Sequence, residues 1–231
     1  MHSKKHTTTV SLLFMLLATL FCVCLVAANL LETKLVQLGP ISVTGGLLVF
    51  PISYIINDCI AEVWGFKKTR LVIWMGFLMN IFVAAVGQLA VWLPAPDFWE
   101  DGVHFNFVFG LAPRIVAASL LAFLVGSFLN AYVMSRMKIA YRGRFFSLRA
   151  ILSTIVGEGA DSLIFFPIAF YGLMPIEELW KLMGVQVVLK TLYEIIILPI
   201  TVRVVRYVKR IDGVDVFDEN VSYNFMKIKD L

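Results

Sequence analysis

Six long apolar stretches, at about 8–31, 43–61, 70–93, 105–134, 150–173 and 182–205, leave this chain of 231 residues few ways to fold. In hydrocarbon every backbone N–H and C=O must find a partner within the chain, so such stretches cross as helices or as closed barrels. Barrel strands alternate apolar and polar residues, and these runs are continuous, so barrels are excluded. The expected fold class is all-α: a polytopic membrane protein, a bundle of six transmembrane helices within residues 1–205, followed by a polar cytoplasmic tail over 206–231. With 60% hydrophobic and 16% charged residues the chain has no stretch left for a sizeable soluble domain, so function belongs inside the bundle. The second stretch is short and the fourth is long enough to tilt or to run beyond the membrane.

Lys and Arg beside a span resist translocation, whereas Asp and Glu matter little. Lys4, Lys5, Lys67, Lys68, Arg70, the five basic residues from Arg136 to Arg149 and the six after residue 202 put sixteen cations on one side, against Lys34 and Lys181 on the other. Both termini are therefore expected in the cytoplasm. The net charge of +4 follows from these loops, whose natural counterions are anionic headgroups of the lipid bilayer rather than nucleic acid. Val10 to Ala28 is 19 residues, longer than a signal-peptide core, and the alternation of later loops requires that this segment stay as a helix. Cys22, Cys24 and Cys59 fall inside spans and read as small packed hydrophobes; the first two point about 200° apart on a helix, so neither a metal motif nor a disulfide is expected. Pro51 and Pro167 each sit in a Phe-Pro-Ile triplet, on helices that would run in opposite directions. Three helices per half could thus form inverted 3+3 repeats.

Besides Arg70 and Arg203 at span ends, six charged residues interrupt the apolar spans: Asp58, Arg114, Glu158, Asp161, Lys190 and Glu194. Each costs roughly 2.5–3.5 kcal/mol at a bilayer centre on insertion scales, so they should face a polar interior. The polar residues recur at helical spacing. Tyr54, Asn57, Asp58 and Glu62 share one face, as do Ser153, Gly157, Glu158, Asp161 and Ser162, and again Gln186, Lys190, Tyr193 and Glu194. His104, Asn106 and Arg114 belong to the fourth span, and Asn29, Asn80 and Gln88 add neutral groups from the first and third. Lys190 and Glu194 at i,i+4 could simply neutralise each other. Four carboxylates would still face two bases, leaving protons or a cationic or donor-rich ligand to complete the balance. No HExxH motif, no nucleophile paired with a histidine and no GxxxxGKS loop is present, so neither an enzyme nor an ATPase is expected, and no cofactor or metal is implied.

A family resemblance rests on Asn29; on Pro51, Asp58, Glu62 and Gly65 in FPISYIINDCIAEVWG, followed by Arg70; and on His104, Phe105, Asn106, Arg114 and Ser119 in HFNFVFGLAPRIVAAS. It continues with Ser153, Gly157, Asp161 and Phe165 in LSTIVGEGADSLIF, and with Lys190, Glu194 and Pro199 in KTLYEIIILP. Over residues 28–205 the chain resembles the queuosine precursor transporters, a six-helix family once called vitamin uptake transporters. The resemblance implies import of 7-deazaguanine bases (7-cyano- or 7-aminomethyl-7-deazaguanine, or queuine) for salvage into tRNA, across a bacterial inner membrane and without an ATPase partner. The implied substrate site is drawn from Asn29, Tyr54, Asn57, Asp58, Asn106, Arg114, Glu158, Asp161, Lys190 and Glu194. Asp161 or Asp58 would accept from the donor edge of the base, and Arg114 or Lys190 would donate to its carbonyl. Tyr54, Phe105 or Phe165 would cover the ring. Glu158 departs from the family pattern, in which a neutral amide is common, and the tail after residue 210 has no counterpart. A homodimer is left open. The competing reading is a substrate-capture subunit that needs a separate energising complex.

Overall fold

The computed structural model describes residues 11–38, 41–110, 113–172, 175–219 and 221–227. It is mostly helical: α1 (Leu12–Leu31), α2 (Phe50–Trp92), α3 (Gly102–Phe109), α4 (Pro113–Ala140), α5 (Phe146–Phe170) and α6 (Ile176–Asp212). Five of these are long and apolar enough to cross a membrane. Their outer faces carry large apolar side chains such as Leu16, Phe82, Leu163 and Ile196, all exposed, which suits acyl chains rather than water.

Three boundaries differ from the sequence expectation. The expected second span begins at residue 43, but residues 41–44 are the second strand of an antiparallel hairpin, β1 (Leu35–Leu38) with β2 (Ile41–Thr44), in register Leu35↔Thr44. The fold is therefore not purely α. A short 3₁₀ turn at Gly45–Leu48 follows, pressed so close to the end of α1 that a Cβ on Gly45 would sit 2.8 Å from the Leu31 carbonyl oxygen. Most of the expected second span and nearly all of the third fall in one helix, α2, which is broken only at Gly65. Its φ of 78° and ψ of 176° belong to a region that essentially only glycine enters. The expected fourth span is divided at Gly110, and Pro113 opens α4, as its fixed φ and missing N–H favour at a first turn.

α4 and α5 pack most closely. A Cβ on Gly126 would meet the Gly157 carbonyl oxygen at 2.8 Å, and one on Gly157 would meet the Gly126 oxygen at 3.0 Å. Small residues let the two backbones touch, the usual device of helices in lipid. Tyr54 of α2 lies against both glycines, with its hydroxyl 2.7 Å from a Cβ built at Gly126.

The segment after α6 packs back against the bundle. Gly213 ends α6 in the left-handed conformation (φ 64°), and the chain returns to the break in α2. Around Gly65 the helical ladder is interrupted, leaving backbone groups to be satisfied from elsewhere. Val216 N donates to the Val63 carbonyl at 3.0 Å, and Phe66 N donates to Asp218 Oδ2 at 2.9 Å. Ser135 Oγ donates to the same carboxylate at 2.5 Å, and Asp218 is buried. Arg70 donates to the carbonyls of Ser222 and Asn224, Trp74 Nε1 to that of Phe225, and the Tyr223 ring packs on Phe66 at 5.0 Å between centroids.

Candidate functional site

Helical spacing brings the polar faces of α2, α5 and α6 together, with α4 behind them. Lys190 extends from α6 to α5, where its Nζ lies 2.8 Å from Glu158 Oε2 and 3.8 Å from Asp161 Oδ2. The same ammonium stands 4.0 Å from the centroid of the Phe50 ring on α2, a cation–π position. Glu158 is fully buried, and Asp161 and Lys190 are each 8% exposed. The i,i+4 pairing of Lys190 with Glu194 is thus replaced by a bridge between helices. Helical side chains lean toward the N-terminus, so Lys190 points away from Glu194; lysine preceding glutamate is also the weaker order for such a pair.

Glu194 instead faces Asp58 of α2 and Thr154 of α5. Asp58 is wholly buried beside Asn130, and neither of its oxygens has a hydrogen-bond donor. Asn57 donates to Asn130 Oδ1 at 3.2 Å and to the Ser127 carbonyl at 3.4 Å, while its own Oδ1 has no partner. The Tyr54 hydroxyl and Ser162 Oγ are likewise buried and unpartnered. Buried polar atoms without partners are uncommon in folded proteins, so their concentration here sets this cluster apart from the rest of the interior.

Of the ten residues singled out from the sequence, Tyr54, Asn57, Asp58, Glu158, Asp161, Lys190 and Glu194 therefore meet in one buried polar cluster, here termed the chamber. Asn29 forms a separate neutral node: its Nδ2 donates to Asn80 Oδ1 at 2.5 Å and its Oδ1 accepts from Ser119 at 2.9 Å, tying α1 to α2 and α4. Asn106 is exposed on α3, which buries no residue. Arg114 stands at the second position of α4, and its side chain lies outside the described residues. Of the proposed ring covers, Tyr54 lies with this cluster. Phe105 stacks on Phe109, and Phe165 meets Phe166 edge-on. Sequence reasoning missed Phe50, Asn130 and Thr154. Asn130 was legible by the rule that found the others, a lone amide in an apolar run three to four residues from Ser127 and Gly126.

A second charged cluster lies one turn further along α2. Glu62 receives two bonds from Arg149, at 2.5 and 3.1 Å, and one from Lys209 at 2.6 Å. Lys138 donates to the Glu62 carbonyl and, at 2.5 Å, to Asp215; Lys209 completes the ring 2.9 Å from Asp215. Burial opposes ionisation of Asp215, but hydrogen bonds from Lys138 and Lys209 prevail and hold its carboxyl below the ordinary aspartate range. Every acid here has a base, unlike the chamber, where acids exceed bases. A cavity of about 550 Å³ opens beside this second cluster, lined by Glu62, Phe145, Phe146, Arg206 and Lys209 among others, and does not reach the chamber residues.

Comparison with known proteins bears on what the chamber does. Residues 44–204 match the family model described as "Putative vitamin uptake transporter". A Bacillus subtilis (strain 168) protein named "Probable queuosine precursor transporter" is 30% identical over 158 residues, covering 67% of this chain and 68% of its own. The "Queuosine precursor transporter" of Escherichia coli (strain K12) is 28% identical over 142 residues, 59% of this chain and 61% of that one. A "Probable queuosine precursor transporter" of Haemophilus influenzae (strain ATCC 51907 / DSM 11121 / KW20 / Rd) is 30% identical over 131 residues, covering 55% and 52%. No solved structure matches the chain. With a family match over residues 44–204, which takes in four of the five helices long and apolar enough to span, wholly or in part, the chain belongs to the vitamin uptake transporter family.

Proposed function

We propose that this protein imports queuosine precursors, 7-deazaguanine bases such as 7-cyano- or 7-aminomethyl-7-deazaguanine or queuine, across a bacterial inner membrane. The observation that carries the reading is the chamber itself: Lys190, two flanking carboxylates and the Phe50 ring, buried together beside unpartnered polar atoms. A guanine-like base has adjacent N–H donors, a carbonyl and two flat faces. Asp161 or Asp58 takes the donor edge in bidentate fashion, Lys190 donates to the carbonyl, and Tyr54 or Phe50 covers the ring. Glu158 holds Lys190 in place, and Asn57 and Glu194 line the remaining wall. Asn29, Asn106 and Arg114 belong to the path by which the base enters or leaves.

In this reading both termini are cytoplasmic and the two halves of the bundle rock as inverted repeats around the chamber. No ATPase takes part, and pairing into a homodimer is not needed for the path. The test is uptake of labelled 7-cyano-7-deazaguanine by cells unable to make it. Asp161→Asn abolishes uptake while protein abundance in the membrane stays normal; uptake at the wild-type rate would remove Asp161 from the site. A capture subunit awaiting an energising complex would bind the base but fail to accumulate it when the purified chain alone is placed in liposomes.

A further inference from the structure

Lys190, the base that lies among these buried acids, is committed to α5, 2.8 Å from Glu158 and 3.8 Å from Asp161. Asp58 and Glu194 are left facing each other across α2 and α6. Asp58 is 0% and Glu194 3% exposed, and Asp58 Oδ1, Asp58 Oδ2 and Glu194 Oε2 have no hydrogen-bond donor. Around them stand Asn130 of α4 and Thr154 of α5, then Glu158 and Asp161 of α5 and Tyr54, Cys59 and Glu62 of α2. None of these is a cation, and Glu62 is engaged by Arg149 and Lys209. Two ionised carboxylates facing each other, buried and without a cation, repel each other and lose their hydration together. A single hydrogen placed between them turns one into a donor and the other into its acceptor.

We propose that Asp58 and Glu194 form a proton-binding pair that couples movement of the substrate to a proton gradient. The proposal rests on the transport reading above and deepens it by assigning the coupling ion. The proton binds one carboxylate oxygen of the pair when the chamber opens outward and leaves to water when it opens inward, with no other bond made or broken. Proton rather than metal ion fits the donor set: among the described residues no group of three His, Cys, Asp or Glu side chains is arranged to hold a metal. The pair also lies beside the Lys190 bridge rather than within it, so with Asp161, not Asp58, taking the donor edge, the base and the proton can be bound at the same time.

The test uses the purified full chain in liposomes with labelled 7-cyano-7-deazaguanine. Exchange against unlabelled base at equal pH reports transport itself. Accumulation under an outside-acidic gradient, with voltage clamped by potassium and valinomycin, reports coupling. One proton per base predicts accumulation of about tenfold per pH unit, abolished by a protonophore. An entrapped pH dye should report acidification when the base is added. A sodium gradient should have no effect, and Asp58→Asn with Glu194→Gln should lose the pH-driven component. Exchange that proceeds while accumulation ignores the pH gradient, or follows sodium alone, overturns the coupling and leaves the transport reading standing. Retention of pH-driven accumulation by the double variant overturns the assignment to this pair. Absence of exchange in the wild-type chain defeats the transport reading and the proposal with it. The wild-type dye signal decides the question even where the variants fail to fold.

Discussion

Replacing Gly65 by alanine strikes the point where α2 breaks and the returning C-terminal segment meets it. At φ 78° and ψ 176° a Cβ is strained whatever the space around it, a cost of about 1–3 kcal/mol. There is no space either: the new methyl would lie 2.7 Å from Asp218 Oδ1 and 2.8 Å from Val216 Cγ1. Asp218 must then move off the Phe66 N–H, leaving a buried donor without an acceptor at a further cost of about 1–3 kcal/mol. The two contributions together give about 2–6 kcal/mol. Thermal unfolding in detergent, followed by tryptophan fluorescence, separates them when Gly65→Ala is made both in the full chain and in a chain ending at residue 213. Without Asp218 and Val216 only the backbone strain remains, so the loss should fall to about 1–3 kcal/mol. Equal losses in both backgrounds, or a full-chain variant within about 0.5 kcal/mol of wild type, would refute the account of how this segment is held.

Arg149→Met leaves the buried Glu62 carboxylate with Lys209 alone and should cost about 3–5 kcal/mol, read as lower yield of folded protein and a lower Tm; Glu62→Gln in the same chain should restore much of it. For Lys190 the partner that matters is Glu158. Lys190→Met should lower the Tm sharply, and Lys190→Met with Glu158→Gln should recover folding better than Lys190→Met with Glu194→Gln. The reverse ranking would return the lysine to Glu194. Asp215 has a folded-state pKa below its unfolded value, so its contribution is present above the ordinary aspartate range, near pH 4, and is lost as pH falls through the lower folded value. Unfolding scans from neutral pH downward should therefore show an acid-side loss of Tm that is shallower in Asp215→Asn. An unchanged acid limb would mean that Lys138 and Lys209 hold some other group.

Much of this molecule is written locally. Continuous apolar runs become helices in hydrocarbon because only helices and closed barrels satisfy the backbone there and barrel strands alternate, and this placed α1, α5 and most of α6 from residue order alone. The same physics marked the chamber. A charge within an apolar run has to turn inward, so Asp58, Glu158, Asp161, Lys190 and Glu194 could be named before any contact was known. What residue order did not decide was which of them touch. Lys190 has candidates of equal charge on its own helix and on its neighbour, and the choice of Glu158 depends on helix rotation and on how closely α5 and α6 approach, which only the packed bundle fixes. The return of residues 213–227 was hidden for a related reason. Its polar residues read as solvated until a break at Gly65 supplies the backbone groups that Val216 and Asp218 complete, and that demand exists only once distant parts of the chain have been brought side by side.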